Sequence, residues 1–311
     1  MSSAAGPGAP GAPARSPRAQ LRALLAAPGI ALCPGVTNAW VARQAEAAGF
    51  GCLFVTGAGV ANTLYGWPDL GLVTLDESLA VTRRIADAVS IPVIADCDTG
   101  YGNHLNVTRT VREFEHAGVA GLTLEDQVAP KKCGHFEGKA VVPPREMAEK
   151  IVAAVAARRD PDLVLIARTD AAAVEGLDAA IERARLYVAA GADVAFVEAP
   201  TSVEALARIP REVPAPCLVN VVEGGKTPAL PAAELAALGF KVALYANLAL
   251  RMAAAAVERA FETLRAEGSS ESLVAEMWSW QQRQQLVGLP EWEALDREIA
   301  ARAARLAGDG G

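Results

Sequence analysis

One joint recurs four times along this chain of 311 residues and narrows what it can fold into: an Ala-rich amphipathic run, a glycine, then a short β-branched run ending in a polar or acidic residue. The copies are residues 44–49 before 52–56, 114–118 before 122–126, 187–191 before 194–198, and 235–239 before 242–245. A glycine at the end of a helix supplies the left-handed residue that turns the chain into the next strand, so each copy reads as the helix-to-strand joint of a βα repeat. The spacing leaves room for one further unit in each gap, and candidate strands at 91–96, 163–168 and 216–220 fill them, with 29–33 as the first. Eight strands alternating with helices over about 240 residues predict a (β/α)₈ barrel at 21–268. A doubly wound sheet would carry a glycine-rich phosphate turn after its first strand, and no GxGxxG or P-loop is present.

The flanks read differently. Residues 1–20 are rich in Ala, Gly, Pro and Ser with no apolar stretch after a basic head, which predicts a disordered leader and not a secretion signal. After a long Ala-rich helix near 247–267, residues 269–311 form a helical tail with Trp278, Trp280 and Trp292, which need a cover such as a partner subunit. No apolar run approaches the ~20 residues of a membrane span. A net charge of −7 argues against a nucleic-acid partner, so no nucleic acid and no membrane are expected. Five cysteines, an odd number lying mostly in apolar runs, suit reduced thiols and a cytoplasmic location.

The active site of such a barrel lies at the C-terminal ends of its strands. Those ends carry Thr56-Gly57-Ala58, Asp96-Cys97-Asp98, Glu125-Asp126, Arg168-Thr169-Asp170, Glu198 and Asn220. Side chains at i and i+2 share a face, so Asp96 and Asp98 can look into one site while Cys97 faces the helices. With Glu125 they make an oxygen-only cluster suited to Mg²⁺ or Mn²⁺; the alternative is that these acids pair with lysines or cap helices. Arg168 and the backbone N–H groups of 56–58 suit a carboxylate, which makes the expected ligand a metal-chelating organic acid. In Lys131-Lys132-Cys133-Gly134-His135 the cations create a field that lowers a thiol pKa and prepares Cys133 for proton transfer or nucleophilic attack; the alternative is a solvated basic loop. His116 is expected at a helix end, and His104 near the acid cluster is given no role.

Together, residues 96–103 (DCDTGYGN), 124–127 (LEDQ), 131–135 (KKCGH), 167–170 (ARTD) and 220–228 (NVVEGGKTP) resemble the isocitrate lyase/phosphoenolpyruvate mutase superfamily over residues 20–270. KKCGH is similar to its carbon–carbon lyase branch. The resemblance implies a barrel with a terminal helix exchanged between subunits of a homotetramer. It implies Mg²⁺ (or Mn²⁺) at Asp96 and Asp98, with Asp69 and Glu125 contributing through water. It implies substrate contacts from Thr56, Gly57, Ala58, Gly134, Arg168, Glu198, Asn220 and Arg251, and acid/base work by Cys133, aided by Lys132 and His135. The implied reaction cleaves a 2-hydroxy di- or tricarboxylic acid of the 2-methylisocitrate or 2-alkylmalate type into a 2-oxo acid such as pyruvate and a second acid. Phosphorus transfer of the carboxyvinyl-carboxyphosphonate type, or oxaloacetate hydrolysis, is the alternative, and a non-catalytic barrel a further one.

Overall fold

A computed structural model describes residues 15–132, 134 and 138–308. The first half runs α1 (Pro17–Ala26), β1 (Ala31–Val36), α2 (Ala39–Ala47), β2 (Leu53–Val55), the short α3 (Gly57–Val60), α4 (Leu75–Ala88), β3 (Val93–Asp96), α5 (His104–His116), β4 (Gly121–Glu125) and α6 (Pro144–Ala157). The second runs β5 (Val164–Thr169), α7 (Leu177–Ala189), β6 (Val194–Val197), α8 (Val203–Glu212), β7 (Cys217–Asn220), α9 (Ala232–Leu238), β8 (Val242–Tyr245) and α10 (Leu248–Glu267), followed by α11 (Trp280–Leu286) and α12 (Leu289–Ala307). All eight strands are parallel and pair in chain order, and β8 returns to β1 with Leu244 beside Cys33, which closes the (β/α)₈ barrel. Gly49, Gly118, Gly191 and Gly239, the glycines of the four repeated joints, all have φ between +87° and +110°, a region that other residues enter only at a cost.

Alternation along the strands sorts the side chains. Phe54, Ile94, Ile166, Phe196, Leu218 and Leu244 fill the barrel interior, while Cys97 is buried on the helix side among Val107, Phe114 and Met147. Cys33, Cys52, Cys97 and Cys217 are buried free thiols; Cys133 lies outside the described residues. The expected leader ends earlier than residue 20. Ser16 caps α1 by accepting from the Ala19 N–H, Pro17 takes the first helical turn, and Leu21 and Leu25 bury themselves against the barrel core. Arg18 and Arg22 donate to the carbonyls of Val119 and Leu163, so α1 closes the bottom of the barrel. Residues 1–14 lie outside the described residues.

The wall next to β1 is different. Leu32 on its outer face is 38% exposed, and the 20 residues of α10 bury none of their number. Val257, Phe261 and Leu264, at i, i+4 and i+7 on α10, form an uncovered apolar stripe. The tail returns to the barrel against α2, where Trp278 packs on Trp40 with ring centroids 6.0 Å apart and the Leu286 carbonyl accepts from Arg43 at 3.2 Å. Trp280 and Trp292 remain exposed. Among the described residues no helix is long and apolar enough to cross a membrane.

Candidate active site

At the top of the barrel the strand ends converge as their sequence positions require. Asp96 closes β3, and Asp98 follows with φ of +48°, a left-handed turn that Asp tolerates better than most residues. Asp96 Oδ1 accepts from the Asp98 N–H at 3.2 Å, and its Oδ2 accepts from the Gly57 N–H at 3.2 Å. A Cβ on Gly57 would sit 2.9 Å from Asp96 Oδ2 and 3.3 Å from Asp98 Oδ1, so only glycine lets the β2 turn lie this close over both acids. One of the N–H groups expected to hold substrate is therefore donated to Asp96 instead. Thr56 is buried and caps α3 through the Gly59 N–H, and Thr56 and Ala58 line the central cavity.

Lys131 reaches into this cluster. Its Nζ lies 2.5 Å from Asp69 Oδ1 and 3.0 Å from Asp98 Oδ1, which brings Asp69 into the site and realises the acid–lysine pairing alternative in part. Burial works against this ammonium, but Asp98, Asp96, Glu125 and Asp69 outweigh it and raise its pKa well above the lysine range. Arg168 is ringed by carboxylates: Glu125 at 3.2 Å, Asp170 at 2.9 Å and Glu198 at 3.7 Å, with the Phe196 ring 5.3 Å from its guanidinium carbon. Asn220 donates to Glu198 Oε1 at 3.3 Å. Gly134 is pressed onto this group, since a Cβ there would lie 2.5 Å from Arg168 Nη2.

The charges do not balance. Around Lys131 and Arg168 stand Asp69, Asp96, Asp98, Glu125, Asp170 and Glu198, met among the described residues by Lys131, Lys132, Lys139 and Arg168. That is two more carboxyl groups than cations, a difference that one divalent cation would offset. Burial pushes Asp98 from 3.8 up to about 6, and pushes Glu125 well up as well, the behaviour of carboxylates short of positive charge. Glu125 Oε1 is buried without a hydrogen-bond partner. An all-carboxylate set with an orphaned oxygen suits a hard cation such as Mg²⁺. Among the described residues, however, no three His, Cys, Asp or Glu side chains converge in ligand geometry, and the Lys131 ammonium pairs with both Asp69 and Asp98.

Two residues that the sequence left without a role hold this arrangement. Asp126 is fully buried behind Glu125; its Oδ2 accepts from Thr169 Oγ1 at 2.7 Å and Tyr187 OH at 2.8 Å, and its Oδ1 accepts from the Asp170 N–H at 2.9 Å. It fixes the end of β5, from which Asp170 grips Arg168 through two hydrogen bonds and Lys139 at 2.7 Å. Burial alone would raise Asp170, but Arg168 and Lys139 outweigh it and hold its pKa low. Gln127 donates to the Lys132 carbonyl at 2.8 Å and accepts from its N–H at 3.0 Å, which anchors the start of the Cys133 segment. For Asp126 its place beside Glu125 was the available signal, since alternation turns one of two neighbouring residues away from the site. Replacing Asp126 with Asn should lower the calorimetric melting midpoint, with a loss of about 2–4 kcal/mol for a broken buried network.

Arg251 is not brought in. It sits on α10 with its side chain 58% exposed, donating to the Glu223 carbonyl at 2.6 Å, because the first turn of α10 points it out of the barrel. Lys132 lines the cavity, while Cys133 and His135 lie outside the described residues. His104 and His116 are exposed at the two ends of α5.

The sequence model of the phosphoenolpyruvate phosphomutase family matches residues 21–265. The chain is 42% identical over 294 residues to a 2-methylisocitrate lyase of Aeropyrum pernix, covering 94% of each protein. It is 40% identical over 282 residues to a 2,3-dimethylmalate lyase of Eubacterium barkeri, covering 91% of this chain and 98% of that one. The structure superposes on oxaloacetate acetylhydrolase bound to 3,3-difluorooxalacetate with a TM-score of 0.87, at 36% identity and 92% and 97% coverage.

Proposed function

The chain belongs to the phosphoenolpyruvate mutase/isocitrate lyase superfamily as a carbon–carbon lyase, and on that premise we propose that it cleaves a 2-hydroxy di- or tricarboxylic acid, of the 2-alkylmalate or 2-methylisocitrate type, with the aid of a divalent metal. The observation that carries this reading is the excess of carboxylates around Arg168 and Lys131, a site that gains neutrality from a dication and can then accept a chelating acid. Asp96 and Asp98 would hold Mg²⁺ or Mn²⁺, with Asp69 and Glu125 reached through water. The metal, when bound, supplies Lewis-acid charge for a carboxylate and 2-oxygen of the substrate.

The chain's own groups do the rest. Arg168 stays charged in its ring of acids and offers a fixed guanidinium to a substrate carboxylate. Gly134 itself lies close against Arg168 and Glu198, and Thr56, Ala58 and Asn220 complete the cavity wall. A base takes the hydroxyl proton, the C2–C3 bond breaks with its electron pair left on C3 as the C2–O bond becomes a carbonyl, and C3 is protonated. Cys133 is the donor of that proton, with Lys132 and His135 setting its field. The products are one 2-oxo acid and one carboxylic acid; 2,3-dimethylmalate would give pyruvate and propionate.

The test is a panel of 2-alkylmalates, 2-methylisocitrate and oxaloacetate, assayed for 2-oxo acid with and without Mg²⁺. Stoichiometric 2-oxo acid from a 2-hydroxy acid is expected. No cleavage in the panel, or oxaloacetate hydrolysis as the fastest reaction, would overturn the reading.

The uncovered stripe on α10 and the exposed Leu32 on β1 support a homo-oligomer, a tetramer by family, in which such surfaces are buried between copies. Deleting residues after Ser270 should reduce the sedimentation coefficient to that of a smaller assembly. A cytoplasmic location fits the four buried free thiols.

A further inference from the structure

The buried face of α6 is apolar except at one place. Met147, Ile151, Ala154 and Ala157 form the stripe that packs on the barrel, and Lys150 lies within it with 4% of its surface exposed. Among the described residues its ammonium makes one hydrogen bond, from Nζ to the Thr99 carbonyl at 3.0 Å. Burial lowers its pKa while Glu146, Asp126 and Glu125 pull the other way, so the charge is held behind the acid cluster at a cost. A leucine or methionine would pack here without that cost, and what the lysine adds is a charged donor.

The acceptor belongs to the turn that follows β3. Asp98, Gly100 and Tyr101 have φ of +48°, +83° and +59°, so two residues other than glycine sit in the left-handed region, where they persist only if their surroundings over-determine them. Each carbonyl of the turn is taken by a different donor. The Cys97 carbonyl accepts from the Gly100 N–H at 2.8 Å, that of Asp98 from the Glu125 N–H at 2.9 Å, that of Thr99 from Lys150, and that of Gly100 from Thr110 Oγ1 at 3.1 Å. Lys150 is the charged donor of the four. Thr99 is buried, so without Lys150 its carbonyl would be left unsatisfied and the turn would relax its strain by moving.

We propose that Lys150 is a positioning residue for the divalent-metal site: by holding the Thr99 carbonyl it fixes the turn that aims Asp98, and so sets metal affinity without touching metal or substrate. This rests on the metal reading above, in which Asp96 and Asp98 hold the ion. Asp98 is the residue next to the held carbonyl, and a carboxylate binds a hard cation well only when its backbone is fixed beforehand.

The experiment measures Mn²⁺ affinity by titration calorimetry, and the Mg²⁺ concentration that half-restores turnover, for the full-length protein and its Lys150→Met, Lys150→Gln and Lys150→Arg variants. Lys150→Met and Lys150→Gln should weaken Mn²⁺ binding by about 10- to 100-fold, the usual cost of losing a group that orients a metal ligand. The Mg²⁺ requirement should rise in step, while kcat at saturating Mg²⁺ stays near the native value because the reacting groups are unchanged. Lys150→Arg keeps a charged donor and should lose least of the three. Ala154→Gly, a buried change one turn further along α6, should lower the melting midpoint and leave Mn²⁺ affinity at the native value, which separates positioning from general destabilisation. Native Mn²⁺ affinity in Lys150→Met, or an equal loss of affinity in Ala154→Gly, would overturn the proposal; should Lys150→Met fail to fold, Lys150→Gln decides by the same measure. If the native protein binds no Mn²⁺, the metal reading falls and this proposal falls with it, whereas native binding that ignores Lys150 overturns the proposal alone.

Discussion

Stripping divalent metal from the protein with excess chelator should abolish turnover, and Mg²⁺ or Mn²⁺ should restore it. The expected loss is complete within assay sensitivity, because the substrate is a polyanion and the site already holds two more carboxylates than cations. Without a dication, the two charges of a dicarboxylate would enter against Asp98 and Glu125, which are themselves short of positive charge. A readout independent of activity is the melting midpoint, which metal should raise through binding to the folded state alone. That increment should grow as pH rises. With its folded pKa raised from 3.8 to about 6, Asp98 stabilises the metal-free fold most at low pH and loses that contribution as pH climbs through about 6. A metal needs the same group ionised, so its benefit appears over the same window. Full turnover in excess chelator would remove the metal from the account.

Cys133→Ser should lower kcat by on the order of 10²-fold or more, with substrate affinity and metal-induced stabilisation shifting far less, as expected when an acid/base is lost. The hydroxyl preserves size and polarity but is a poorer proton donor than a thiol in a cationic field. Arg168→Ala should behave otherwise and raise KM along with lowering kcat, since a charge-assisted contact serves ground and transition states alike. It would also leave Glu125, Asp170 and Glu198 without their shared cation, so a fall in melting midpoint should accompany it. Alkylation separates the thiols: Cys33, Cys52, Cys97 and Cys217 are buried, and burial pushes Cys217 up to about 12, so modification should concentrate on Cys133. Near-normal turnover by Cys133→Ser would mean that another group protonates the leaving acid.

The barrel was legible because its repeat is a local property. The left-handed glycines at 49, 118, 191 and 239 and the β-branched runs after them are dictated by backbone sterics and by burial on both faces, and neither depends on distant residues. The start of the first helix was harder. Ser16-Pro17 is a start signal, but Leu21 and Leu25 become informative once the barrel bottom exists for them to bury against.

For the site, alternation along β3 put Asp96 and Asp98 on one face and Cys97 on the other, and the motifs named Glu125 and Arg168. What they left undetermined is pairing. That Lys131 stands between Asp69 and Asp98, that Asp126 holds β5 through Thr169 and Asp170, and that Arg251 turns away to Glu223 follow from side chains separated by 28 to 62 positions. Residue type and spacing determined which chemical groups reach the rim of this barrel, because strand period and joint geometry are local. Tertiary structure alone decided which charges neutralise one another there and which acceptors stay unsatisfied, because burial and Coulomb energy depend on distances that only the closed barrel sets.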